Sequence, residues 1–190
     1  FADTIIGSAV NNTLDGGNSN DQISGGDGHD LLLGGIGNDT LNGGAGLDTL
    51  DGGVGADFVS YAGSLTAVTI DLLAGTGVGG DAEGDTFVSI ENLLGSDNAD
   101  ILTGNNDANN LDGGAGNDTV SGGAGADTLT GGAGTDTASY AGSISGVTIS
   151  LAAGTGLAGD AEGDVLSGVE NVLGGTSDDR IDGNSGSNVI

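Results

Sequence analysis

Apolar residues recur every nine positions through the first third of the chain, at Ile5, Leu14, Ile23, Leu32, Leu41, Leu50 and Val59. Each sits between polar or small neighbours, as in Thr40-Leu41-Asn42. Three such residues read as a minimal strand, with the central side chain facing in and its neighbours facing out. The six residues between strands are rich in glycine and read as tight turns. Two strand-plus-turn units make one coil of about 18 residues, and stacked coils form an all-β, parallel β-solenoid with two internal apolar ladders. The pattern loosens at Tyr61. Val68, Ile70 and Leu72 alternate as a half-buried strand does, Gly75–Asp85 reads as a glycine-rich loop, and Phe87–Ile90 reads as strand again. The nine-residue spacing returns at Gly95.

The turns share a motif. Four consecutive units from Gly25 to Ser60 (GGDGHDLLL, GGIGNDTLN, GGAGLDTLD, GGVGADFVS) and three from Gly113 to Ser139 read G-G-x-G-x-D-x-U-x, where U is apolar. Degenerate units flank them. Gly7–Asp15 has Asn12 in the Asp position, Gly16–Ser24 has Ser19 for the third glycine, and further degenerate units start at Gly95, Gly104, Gly174 and Gly183. The irregular stretch Tyr61–Leu94 recurs 79 residues later as Tyr140–Leu173 without insertion. The expected organisation is one continuous solenoid: repeats over 1–60, an irregular segment over 61–94, repeats over 95–139, the second irregular copy over 140–173, and terminal repeats over 174–190. The first residues, FADTII, and a last unit that stops at a strand position suggest a piece of a longer chain.

The composition sharpens this picture. Among 190 residues there are 43 glycines, no Pro, Cys, Met or Trp, and 28 acids against one basic residue, Arg180, for a net charge of −27. So much charge with so few aromatics predicts disorder in plain water, while the fixed glycine period predicts an ordered repeat. Both hold if folding requires a counter-ion bound only by the folded state. Asp39 is 18 positions from Asp21 and from Asp57, so the carboxylates stack at a strand spacing of about 4.7–4.9 Å and repel. A divalent cation between them reverses that, and an oxygen-only donor set favours calcium over zinc or copper.

The acidity argues against nucleic acid. No apolar run is long enough to cross a membrane. A single histidine, His29, at a variable turn position rules out multi-histidine zinc sites and offers no nucleophile–base pair. The repeat accounts for the placement of the acids, so the chain is not expected to be an enzyme. Weak calcium sites suit the outside of the cell.

The nonapeptides, together with the Y-A-G…V-T-I-D-L…G-D-A-E-G-D…I-E-N segment, resemble the RTX, or hemolysin-type calcium-binding, family over essentially the whole chain. The resemblance implies a right-handed parallel β-roll secreted by a type I system, unfolded at low cytosolic calcium and folded outside. It also implies ions between turns 18 residues apart. The lower turn gives the carbonyls of positions two and four and its Asp, and the upper turn gives those of positions one and three and its Asp. One ion would sit between Gly35, Gly37, Asp39 and Gly52, Val54, Asp57, and another between Gly26, Gly28, Asp30 and Gly43, Ala45, Asp48. In the same frame Gly17 supplies a position-two carbonyl below Gly34 and Ile36, and Gly25 and Asp27 supply upper carbonyls. Gly113 with Ala115, Gly122 with Ala124, and Gly131 with Ala133 do so in the second run. The resemblance pairs Asp3 with Asp21, Asn12 with Asp30, Asp21 with Asp39, Asp100 with Asp118, Asn109 with Asp127, and Asp118 with Asp136. It pairs Glu91 with Asn109 and Glu170 with Asn188. About ten Ca²⁺ ions follow, weakest where Ser19 or Val10 replaces the third glycine and where Asn12, Asn109 or Asn188 brings no charge.

Other roles stay open at this level. The module either serves as a calcium-responsive folding unit, or self-assembles through its open sheet ends into a layer, fibre or matrix, or accompanies a polysaccharide-acting enzyme or adhesin. The acidic loops 81–85 and 160–164 either hold an extra ion or are solvated. Tyr61 and Tyr140 are expected to pack near the module joins rather than to stack on sugars.

Overall fold

A computed structural model describes all 190 residues. The chain winds into a parallel β-roll of short strands in two long sheets, one of 11 strands and one of ten, with a two-stranded pair beside them. Successive nonapeptides alternate between the sheets. Each strand pairs in parallel with the one 18 residues away: Ile5 with Ile23, Ile23 with Leu41, and Leu41 with Val59 in one sheet, and Leu14 with Leu32, then Leu50, in the other. This register puts the U positions inside, and Leu32, Leu41, Leu50 and Val59 are fully buried. The two apolar columns meet in one continuous core. The glycine at position two permits the tight stack. Gly35 has φ +105°, and a Cβ there would strike the Gly17 carbonyl of the turn below.

The irregular segment is an insert into this stack. In the first copy, strands Thr69–Asp71, Thr76–Val78 and Thr86–Val88 form an antiparallel meander within the ten-stranded sheet. Its last strand lies parallel to Thr49–Val54, with Phe87 beside Leu50, and its first lies parallel to Ile101–Thr103, with Ile70 beside Leu102. The other sheet bridges the insert directly, with Val59 beside Leu93. Gly77 is the inward residue of the central strand. A Cβ there would meet the Ala82 carbonyl at 2.8 Å and the Phe87 ring at 3.1 Å, so the ring fills the space a side chain would take.

The stretch expected to be loop, Gly75–Asp85, therefore contains a strand, Thr76–Val78, and a 3₁₀ turn, Gly80–Ala82. Glycines at φ +68° (Gly75) and +80° (Gly79) let the chain reverse at each end of that strand. The expected strand at Phe87–Ile90 begins at Thr86 and ends at Val88, because Ser89 turns the chain at φ +51°.

The second insert repeats these pairings, Leu129 with Leu166, Ile149 with Ile181, and Ala138 with Val172. Its meander lies in the 11-stranded sheet. The reason is parity. Five nonapeptides, beginning at Gly95, Gly104, Gly113, Gly122 and Gly131, separate the copies, and an odd number of units exchanges the sheets. No helix is long and apolar enough to cross a membrane.

Candidate metal centres

The sixth-position acids form two columns, one beside each row of turns. Each carboxylate uses one oxygen to accept the backbone N–H of the acid one coil below. Asp21 N–H donates to Asp39 Oδ1 and Asp39 N–H to Asp57 Oδ1, both at 2.7 Å, and Asp30 N–H donates to Asp48 Oδ1 at 2.8 Å. Asp3 and Asn12 donate in the same way to Asp21 and Asp30, as do Asp100, Asn109 and Asp118 to Asp118, Asp127 and Asp136. The 18-residue pairing expected for these residues is therefore present.

The second carboxylate oxygen is the informative one. Eight Oδ2 atoms, those of Asp21, Asp30, Asp39, Asp48, Asp57, Asp118, Asp127 and Asp136, are buried without a hydrogen-bond partner. An unpaired buried carboxylate oxygen is strongly disfavoured, and eight in register require a common partner.

Their surroundings identify its chemistry. Over Gly34, the Gly52 carbonyl and Asp39 Oδ2 converge to 2.5 and 2.6 Å from the place a Cβ would occupy. Over Gly16, Asp21 Oδ2 and the Gly34 carbonyl do so at 2.6 and 2.7 Å, and the same grouping recurs over Gly25 and Gly113. The position-two and position-four carbonyls point up the stack, Gly35 toward Gly53 and Gly37 toward Gly55. Those of position three point down, with Ile36, Ala45 and Val54 each accepting one N–H from the turn below. Nowhere do three acidic or histidine side chains cluster, so carbonyls must complete any cage. Anionic oxygen plus convergent carbonyls, with no nitrogen or sulfur donor, suits calcium. In the second run Ala115–Gly116 and Ala133–Gly134 form the small separate sheet, in which Ala133 N–H donates to the Gly114 carbonyl.

The degenerate turns are satisfied differently. Asn109 accepts Asn105 N–H through Oδ1 and donates Nδ2–H to the Glu91 carbonyl, both at 2.8 Å. Asn188 does the same with Asn184 and the Glu170 carbonyl, and Asn12 accepts Ser8 N–H. An amide N–H thus stands among oxygens that a cation would otherwise bind. Asp100 takes the Ser96 N–H and hydroxyl. A second ladder on the fifth turn position, unforeseen in the sequence, links Asn11 to His29 and His29 Nδ1 to Leu47 N–H. His29 is exposed, as expected.

The inserts meet the columns at two joints each. Glu91 stacks one coil below Asn109, in the expected 18-residue pairing, with its carboxylate turned to the coil beneath it as those of the regular acids are. Its Oε2 accepts Asp57 N–H at 2.9 Å, and Glu170 does the same for Asp136. The longer side chain reaches down from a turn that is shorter than six residues. At the other joint Asp85 accepts Asp48 N–H at 2.8 Å across 37 residues, and its Oδ2 accepts the Tyr61 hydroxyl at 2.6 Å. Asp164 repeats this with Asp127 and Tyr140. Both tyrosines are buried, as their expected packing at the joins requires. The sequence reading places Asp85 and Asp164 only at the ends of acidic loops that hold an ion or are solvated, because no nine-residue count reaches them; both are instead buried on the tyrosines. The one available signal was that each Tyr–Asp pair recurs at the 79-residue spacing.

Burial governs the protonation of these groups. It pushes the carboxyls of Asp85, Asp118 and Asp127 up to about 6, and raises Asp48, Asp57, Asp136 and Asp164 above the ordinary carboxylate range, with lesser contributions from neighbouring acids. Burial and the adjacent Asp85 and Asp164 raise Tyr61 and Tyr140, which keep the phenols protonated as donors.

The family model described as the RTX calcium-binding nonapeptide repeat (4 copies) matches residues 1–32, 24–59, 90–120, 103–138 and 164–190. No curated protein sequence matches the chain. The matched stretches cover the regular turns and leave out most of each insert. With its parallel β-roll, its carboxylate columns and its oxygen-lined turns, the chain is a calcium-binding β-roll module and belongs to the RTX calcium-binding nonapeptide repeat family.

Proposed function

We propose that this chain is a calcium-triggered folding module of a secreted bacterial protein, exported unfolded by a type I system and ordered by calcium outside the cell, with no catalytic role of its own. The observation that carries this reading is the row of eight buried, unpartnered carboxylate oxygens. Without cations the folded roll must bury those charges in a chain of net charge −27. Self-repulsion and desolvation then favour the unfolded chain. With cations, the same oxygens become ligands and the binding energy adds to folding. On the order of ten divalent ions would offset most of the charge. The family's typical export route and extracellular setting support the location.

Far-UV circular dichroism during a calcium titration from a chelated start tests the switch, with magnesium as control. A cooperative coil-to-β transition with calcium alone is expected. A β spectrum indifferent to chelator would sink the folding role and leave a constitutive roll.

A further inference from the structure

We infer that each insert carries a calcium site of a second, solvent-open kind, formed by Asp57, Ser89 and Glu91 in the first copy and by Asp136, Gly168 and Glu170 in the second. The inference rests on the calcium-module reading above and assigns a pairing, Asp57 with Glu91 and Asp136 with Glu170, and a coordination that the nonapeptide frame does not contain.

In a regular pair, the upper position-one carbonyl and the lower Asp Oδ2 converge over the lower position-one glycine, as Gly52 O and Asp39 Oδ2 do over Gly34. Over Gly52 the carbonyl place is taken by Ser89, while Asp57 Oδ2 lies 2.7 Å from the Cβ position. Over Gly131 it is taken by Gly168, with Asp136 Oδ2 at 2.8 Å. The backbone is bent to achieve this. Ser89 adopts φ +51°, one of two non-glycine residues with positive φ, and Gly168 adopts +59°. Asp57 and Asp136 are 0 % exposed, and their Oδ2 atoms have no partner. Glu91 and Glu170 hold the N–H below through Oε2 and leave the other oxygen for an ion.

What distinguishes these sites is the missing half of the upper turn. A cavity of about 320 Å³ opens there, lined by Leu72, Phe87, Ser89, Ile90, Glu91, Asn105 and Asp107. The residues 79 positions after the first six line a matching cavity of about 340 Å³ in the second copy, where Gly186 stands at the position of Asp107. Gly53, whose counterpart Gly35 points its carbonyl at the next turn, lines the first cavity instead. A water occupies about 30 Å³, so several fit. Calcium takes about six to eight oxygens, and the ones supplied here fall short, leaving positions for water or for an outside oxygen ligand. Because the inserts lie in opposite sheets, one open site falls on each turn column.

Terbium(III) bound in place of calcium tests this, through excited-state lifetimes in H₂O and D₂O that count coordinated waters. Two ions per chain with about two or more waters are expected beside a larger, drier class. Native mass spectrometry in calcium should show the Glu91→Gln, Glu170→Gln double variant losing two ions. A single lifetime class in the unmodified protein would overturn the inference, without needing the variant to fold, and so would an unchanged ion count in a folded variant. A chain that binds no calcium at all would instead fail the module reading itself.

Discussion

The two joints of each insert treat the same problem in opposite ways. At one, Glu91 continues the ladder: it holds the N–H below, and the Ser89 carbonyl completes the oxygen grouping over Gly52. At the other, Asp85 also holds the N–H below, but Asp48 rather than a carbonyl makes the closest approaches to the Cβ place over Gly43, and the Tyr61 hydroxyl takes the remaining Asp85 oxygen. A carboxylate in register is therefore not enough to make a cage. Where the turn supplies carbonyls, a charged partner is needed. Where it does not, a neutral phenol satisfies the acid. Asn109 and Asn188 are a third solution, an amide donor built into the turn itself.

Substitutions that keep shape but change charge should separate these solutions. The largest effect is expected from Asp39→Asn with Asp57→Asn. The amide Oδ1 can still accept the N–H below while the anionic oxygen is lost, so the calcium midpoint in circular dichroism should rise at least tenfold, about 1.4 kcal/mol or more. Gly34→Ala should come close. Gly34 has no positive φ, yet its Cβ would enter the space between Asp39 Oδ2 and the Gly52 carbonyl. Native mass spectrometry should show ion loss there and none for Gly63→Ala, whose Cβ meets nothing within 4 Å.

Tyr61→Phe leaves Asp85 Oδ2 buried without its donor. It should lower stability in urea at saturating calcium by about 1–3 kcal/mol with no change in ion count, the reverse of the Asp39 signature. Asn109→Asp exchanges an internal donor for a charge and should add one ion per chain at high calcium.

The dependence on pH follows from the same burial. Carboxyls of Asp118 and Asp127 raised to about 6 keep protons in the metal-free roll that the unfolded chain has already released. By these groups the metal-free roll is thus relatively most stable below about pH 4, loses stability as pH rises from there to about 6, and changes little above that. Calcium competes with those protons, so its apparent affinity, measured by titration calorimetry, should weaken as pH falls below about 6.

The regular roll was legible because its two periods coincide. The spacing of Leu32, Leu41 and Leu50 set the inward column, and the 18-residue coil put Asp21, Asp39 and Asp57 in one stack. The inserts were less legible because their partners lie 32, 34 and 37 residues apart, as in Ile70 with Leu102, Val59 with Leu93, and Leu50 with Phe87. No short-range period encodes such distances. Glycines that read as loop at Gly75–Asp85 serve as the bends of an antiparallel meander, and the nine-residue frame hides the shortened turn 89–91 that brings the Glu91 carboxylate onto Asp57 N–H. The exchange of sheets between the two inserts was countable from the five intervening units, once the alternation of units between sheets was in view.

The central claim, that calcium and not sequence alone makes this chain compact, is tested most directly by small-angle X-ray scattering of the purified chain in chelator and in millimolar calcium. An unfolded chain of 190 residues scales to a radius of gyration of about 47 Å. The account predicts a value near that in chelator and less than half of it in calcium, with magnesium failing to substitute. A chain already compact in chelator and unchanged by calcium would contradict it.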